Sequence, residues 1–521
     1  MHAPRPPSAH RQMPRLLFVL LLLALLLAAC GGAPAATPSN APADAAAPAS
    51  GPSGTLRFGF FTRFHTWDPH QESRMTNLVG LELVYDALLN EDLNGRLIPG
   101  LALEWNETPD YLDLTLREGV VFHDGTPFDA EAARANLLRA RDDGAPPIKQ
   151  QLAALEDVTV LDTYQLRLHL SRPVPDLLAN LTRMTGMMIS PAAFATAKDV
   201  PVGTGPWSFN PTESQVDVQY VFDAFPDFWD PQQQRLERVV ILPITEQHSL
   251  INALRTGEID AASVYTRNVA QLQAEGFNLL SNHSNYTIFQ ILDREGTLVP
   301  AFADERVRLA LSYAIDRESF VDVAEMGHGM PTTRHLVEGD YGYSAAPSDL
   351  TYDPERARAL LAEAGVTNLA FDVPSWGIDT ELELIAGFFR EVGVTMNPVP
   401  IAPGTLTQEA ASGTWPAALV FTREIHVATF IANRVLRDGA MNPFKVVDPE
   451  LEALATQAYT LPAVEAEPLW AELVHETAER GIVIHISFNS PFVVTAPHVQ
   501  GGSVGYMKPF VMNLRGVTIE E

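Results

Sequence analysis

Three groups of residues in this 521-residue chain have the types and spacing of chemistry. Gly501-Gly502-Ser503-Val504-Gly505 has the G-x-S-x-G spacing of a nucleophile elbow, in which a sharp strand-to-helix turn lifts a serine toward a base and an acid. That chemistry needs a histidine later in the chain, and none of the 18 residues after Ser503 is one. Of the 14 histidines, His65 with His70 and His328 with His335 form loose pairs, without cysteine partners or the regular ligand spacing of a metal site. No lysine follows a glycine run of the phosphate-loop type, which excludes ATP hydrolysis by this chain. Among 64 acidic residues, carboxylate pairs arise by number alone and mark no acid–base dyad. These residues point to binding without catalysis, with no cofactor and no metal.

The single cysteine, Cys30, draws its meaning from its position. Arg5, Arg11 and Arg15 precede an unbroken apolar run from Leu16 to Ala29, the basic and hydrophobic regions of a secretory signal over residues 1–29. At 14 residues the run is shorter than the 18 or so that span a bilayer as a helix. It ends Leu27-Ala28-Ala29-Cys30-Gly31, which resembles the bacterial lipobox, where the cysteine receives a lipid and becomes the first residue. Residues 31–54 contain no aromatic and no large aliphatic side chain, so residues 30–54 are expected to form a lipidated tether that lets the body reach outward from the membrane. The expected location is extracytoplasmic, anchored to a bacterial membrane through Cys30.

The charge balance is 35 − 64 = −29, or 32 − 64 = −32 once residues 1–29 and their three arginines are removed. Only four basic residues are lysines, and no basic stripe exists to neutralise phosphates, so nucleic acid is excluded as a partner. The length calls for two or three domains.

The body reads as α/β. Residues 55–61 form an opening strand, rich in aromatic and β-branched side chains. Later segments repeat helix, glycine, strand. Residues 247–262 turn at Gly257. A helix capped by Asp353 with Pro354 at its first position stops at Gly365. Two more stop at Gly393 and Gly481, each entering an apolar strand. Helices returning to strands at irregular spacing make open sheets covered by helices, and such sheets take ligands beyond their strand ends.

Four stretches then carry a resemblance. LREGVVFHDGTPFDAEAARANLLRAR (116–141), PVGTGPWSFN (201–210), ALRTGEIDAA (253–262) and DERVRLALSYAIDRESFV (304–321) resemble, in this order, the family 5 extracellular solute-binding proteins, the peptide/nickel receptors of ABC importers. The most specific phrase is FHDGTPFDAE. Its residues His123 to Thr126 form a polar tight turn, and Asp129 with Glu131 stabilises the first turn of the helix that follows. The resemblance implies a bilobed, periplasmic-binding-protein-like fold of type II with an additional third domain, a monomer closing on its solute as a hinged clamp. Lobe I would hold residues 55–81, 205–299 and 489–521, the extra domain 82–204 and lobe II 300–488. Its partners would be an ABC permease and ATPase, and its cargo an oligopeptide, a metal chelate or another small solute. The same clamp would also serve a ligand sensor or chaperone, and a secreted hydrolase would rest on Gly501–Gly505 alone.

The resemblance also locates candidate contacts. Where the peptide branch holds an aspartate for the ammonium group, after the lobe II strand 417–421, this chain has Thr422-Arg423-Glu424-Ile425-His426. Arg423 and His426 would favour an anionic or neutral group, with affinity for an anion rising as pH falls through about 6.5. Glu424 would serve an ammonium if the register slips by two. Ile148 and Ile425 stand where the nickel branch has tryptophans. Loops after lobe strands add Arg63, Phe64, His65, Trp67 and Trp376; for the two tryptophans, packing under a loop and lining the cleft are both open.

Overall fold

The computed structural model describes residues 51–72, 74–174, 176–282, 285–338, 340–346, 348–375, 378–402, 405–422, 426–489, 492–505, 508 and 510–520. Cys30, the apolar run, Trp376, Arg423, Glu424 and Ile425 lie outside them.

Local chemistry sets the elements. The Asp129 carboxylate accepts from Ala132 N at 2.9 Å and opens the helix Ala130–Asp143; Asp353 does the same for Pro354–Glu363 through Arg356 N at 2.8 Å. The helix Gln247–Thr256 ends on Gly257 at φ 71°, and Asp379–Glu391 is followed by Gly393 at φ 85°; both glycines turn the chain into strands. Ser503–Val504 form a two-residue strand paired with Met512–Asn513, and no helix follows among the described residues, so the strand-turn-helix of a nucleophile elbow is not formed.

These elements build three main sheets. A seven-stranded mixed sheet runs in the order 278–281, 492–495, 261–264, 55–60, 238–243, 220–224, 207–209. A four-stranded antiparallel sheet joins 330–331, 483–489, 285–291 and 417–422. The extra domain is a four-stranded antiparallel sheet of 102–107, 111–116, 165–170 and 155–162.

The apolar core shows which sheets move together. From Gly51 on the chain packs as one compact unit. Yet one core runs continuously from Leu56 and Phe58 of the seven-stranded sheet to Leu112, Leu137 and Leu166 of the extra domain. The two cores of the four-stranded sheet draw only on residues between 286 and 488. Lobe I and the extra domain therefore share buried surface, whereas lobe II carries its own. The strand Asn285–Ile291 belongs to lobe II by its hydrogen bonds to 417–422 and 483–489, so the first crossing falls between Ser281 and Asn285 and not near residue 299.

The phrases that carry the resemblance are scaffold. His123 N donates to Gly203 O at 2.9 Å and its Nε2 lies 2.9 Å from Gly205 O, so the HDGT turn and the GTGPW turn lock together. Trp207 is 1% exposed and donates to Leu236 O. Arg317 of the fourth phrase is buried, with its guanidinium donating to the carbonyls of Thr332, His485, Ser312, Ile315 and Leu350.

Candidate functional site: the cleft at the crossing ribbon

The strands 285–291 and 483–489 form an antiparallel ribbon where the chain passes between the lobes. Asn285 pairs with Asn489 at the end of the lobe II sheet, and Ser281 pairs with Phe492 at the edge of lobe I. The chain thus passes between the lobes beside this ribbon, once after Ser281 and once after Asn489. Beside it lies a cavity of about 890 Å³. Lobe I contributes Tyr265, Thr266 and Phe510; lobe II contributes Glu325, Ile378, Glu381, Phe421, Thr422, Arg434 and Met441; Asn285 and Asn489 form the hinge end.

Each polar group is placed by the element that carries it. The helix Arg317–Ala324, capped by the Asp316 carboxylate on Ser319 N at 3.0 Å, ends at Glu325. Glu325 Oε1 accepts from Ser487 Oγ at 2.5 Å, Thr287 Oγ1 at 3.2 Å and Asn489 Nδ2 at 3.3 Å, which ties the helix end to both strands of the ribbon. Burial pushes this carboxyl above its usual range; the three hydrogen bonds oppose the shift and the Glu381 charge adds to it. Glu381, in the first turn of the helix Asp379–Glu391, is also raised, again chiefly by burial. Arg434 ends the helix Val427–Arg434, with Nη1 donating to Gln290 Oε1 at 2.6 Å and its guanidinium 5.9 Å from the Phe430 ring centroid. Phe421 and Tyr265 present faces that are 39% and 42% exposed. Among the described residues the wall offers carboxylate and amide acceptors, the Arg434 guanidinium and aromatic faces, a set suited to holding a polar solute by hydrogen bonds and stacking.

The described residues among those expected from sequence do not line this cavity. Phe64 and Trp67 stack on each other at 4.6 Å, and Tyr220 meets both edge-on at 5.3 and 5.1 Å; at 7% and 5% exposure they pack into the lobe I core and do not line this cavity. Arg63 is exposed, 3.6 Å from the Asp217 carboxylate, and His65 is exposed beside it. Ile148 is buried in the extra domain. Trp376 and Arg423 lie outside the described residues.

His426 lines a separate cavity of about 310 Å³ with Glu107, Asp176, Asp340 and Tyr341, between the extra domain and lobe II. Its Nε2 is buried without a hydrogen-bond partner, and burial lowers its pKa to about 4, Asp176 pulling it up and Arg183 down. The ring stays neutral between pH 5.5 and 8, so the expected rise in anion affinity on acidification does not follow from it.

Glu325, Glu381, Tyr265 and Phe510 were not visible as site residues in the sequence. Glu325 alone left a signal: a carboxylate at a helix C-terminus faces the negative end of the macrodipole, a local conflict of the kind that marks functional positions.

Comparison with known proteins fits this geometry. The family model described as bacterial extracellular solute-binding proteins, family 5 Middle, matches residues 96–421, more than half of the chain. Glutathione-binding protein GsiB of Escherichia coli (strain K12) is 30% identical over 322 residues, 60% of this chain and 62% of GsiB, so the match spans less than two thirds of that relative. Among solved structures, HbpA2 from Haemophilus parasuis superposes with a TM-score of 0.79 at 20% identity, covering 90% of this chain and all of HbpA2. NikA from Brucella suis, solved with Fe(III)-EDTA, gives 0.78 at 18% identity, again over 90% of this chain and all of NikA. The fold is that of the bilobed α/β binding proteins, and the chain belongs to the bacterial extracellular solute-binding proteins, family 5.

Proposed function

We propose that this chain is a lipid-anchored extracytoplasmic receptor of an ABC importer, which holds an oligopeptide, a metal chelate or another small solute in the 890 Å³ cleft and hands it to a permease. The observation that carries this reading is the division of the core. Lobe II has its own buried clusters, and the chain passes between the lobes after Ser281 and after Asn489, so a rigid-body rotation at that passage opens or closes the cleft without breaking either core. A solute that touches both lobes shifts the population toward the closed form by its differential affinity for that form. Cys30 carries the lipid and residues 31–54 the tether; the receptor works as a monomer.

Relatives support the solute classes: one is named for glutathione, one structure is of a murein tripeptide binding protein, and one holds Fe(III)-EDTA. The test is small-angle scattering on the detergent-solubilised chain with glutathione, a tripeptide library or Fe(III)-EDTA. A smaller radius of gyration with unchanged circular dichroism is expected for one of them; no compaction with any at saturation sinks the clamp. Cys30→Ser should move the protein from the membrane to the soluble fraction, and retention in the membrane would refute the anchor.

A further inference from the structure

Glu325 is a carboxylate held where folding alone disfavours it. It is 8% exposed, it ends a helix whose dipole repels it, and the fold fills only half of it. Oε1 takes three donors, from Thr287, Ser487 and Asn489, whereas Oε2 is buried with no hydrogen-bond partner. An unfilled acceptor of this kind carries a desolvation cost that the fold does not recover. The space for it is reserved, since a Cβ at Gly329 would overlap Oε2. Glu381 lines the same cavity close enough for its charge to act on Glu325, and among the described residues no cation pairs with either. The guanidinium on that wall, Arg434, is engaged with Gln290.

Resting on the receptor reading above, we infer that the solute carries a positively charged N–H group, a primary ammonium, and that Glu325 with Glu381 selects it at the hinge end of the cleft. The ammonium supplies both a donor for Oε2 and a charge for the two carboxylates. Asn489, whose Nδ2 is spent on Thr287 and Glu325, keeps its amide oxygen as a further acceptor. Tyr265, Phe421 and Phe510 give aromatic faces on the same cavity, which suit a cation and the apolar chain behind it. A bare metal ion fits poorly. Oε1 is already saturated by hydrogen-bond donors, and no group of three His, Cys, Asp or Glu side chains able to hold a metal occurs among the described residues. The family's peptide branch meets its ammonium from a different element, after the strand 417–422; here the acid comes from a helix end on the ribbon side.

The probe is a library of tripeptides offered to the full detergent-solubilised chain, once with free amino termini and once N-acetylated, with retained species read by mass spectrometry. Free peptides are expected to be retained about tenfold or more over their acetylated forms, the size of one charge-assisted hydrogen bond, and Glu325→Gln should abolish that preference. Glu381→Gln should reduce it. Thermal melts of both variants establish that they fold, and acetylation tests the ligand side without altering the protein. Equal retention of both series, or a preference that survives Glu325→Gln, overturns the ammonium site while the receptor stands, because retention itself shows binding. Retention of neither series overturns the ammonium site as well; the receptor then stands or falls on compaction by Fe(III)-EDTA.

Discussion

The phrases that identify the scaffold and the wall of the cleft both bury polar side chains, yet they treat them in opposite ways. In the scaffold, buried Asn136 donates to Ala132 O and Ile189 O and accepts from Ile189 N, Trp207 donates to Leu236 O, and Arg317 satisfies five carbonyls. In the cleft wall, Glu325 is left with a buried oxygen that nothing in the fold fills. A closed hydrogen-bond set stabilises a structure; an open one is kept at the expense of stability and makes sense only when something from outside completes it.

The largest effect that separates the two regions is expected at Arg317. Arg317→Met keeps the volume and removes every donor, leaving several buried carbonyls unpaired, and should lower unfolding free energy by about 3 kcal/mol or more in urea titrations. Solute affinity of the folded fraction should be unchanged, since Arg317 does not line the cleft. A mild loss of stability would mean that water takes over those carbonyls and that the scaffold is less closed than its hydrogen bonds imply.

This contrast also explains what was legible in the sequence. The caps Asp129 and Asp353 and the stops at Gly257 and Gly393 act over three or four residues, so their spacing alone places them. The division into α/β lobes with an extra domain follows from the quoted phrases, whose partners lie within the scaffold. The cleft was not legible because its chemistry is long-range. Glu325 meets Thr287, Ser487 and Asn489 across separations of 38, 162 and 164 residues. The aromatic pair after the first strand was found, but the side to which Phe64 and Trp67 turn is decided by Tyr220 and Phe222, some 150 residues away. His426 was placed by its position after a strand, while the charges that act on it, Asp176 and Arg183, lie in another domain.

A smaller effect separates the regions by the sign of their pH dependence. Burial lowers the scaffold histidines His70 and His123 to about 4. Their unfolded value lies near 6.5, so the unfolded chain binds more protons in between, and stability is lost as pH falls from 6.5 toward 4. Each contributes about 2 kcal/mol of that loss between pH 7 and pH 4.5. The acids Glu325 and Glu381 have raised folded values, and Glu107 is raised to about 7, so these gain stability as pH falls and lose it as pH rises. His123→Gln should therefore flatten the acid side of the profile by about 2 kcal/mol, and Glu325→Gln should flatten the alkaline side. Identical urea midpoints for wild type and His123→Gln at pH 4.5, matched to those at pH 7, would show that His123 is not held neutral.

The smallest effect is the most discriminating. If the Glu325 carboxylate waits for a cation, then removing its charge should help the empty protein. At pH 7 the ionised side chain opposes folding, because burial disfavours the charged form more than three hydrogen bonds favour it. Glu325→Gln keeps an amide oxygen for Ser487, Thr287 and Asn489 and carries no charge, so the ligand-free variant should melt at a higher temperature than wild type, with the gap closing as pH falls and the wild-type carboxyl takes up its proton. A scaffold position responds in the other direction, since every group lost there leaves a partner unpaired. A Glu325→Gln variant that melts lower than wild type at neutral pH would place Glu325 with Arg317 as part of the frame, and would leave Glu381 as the acid through which the cleft meets its solute.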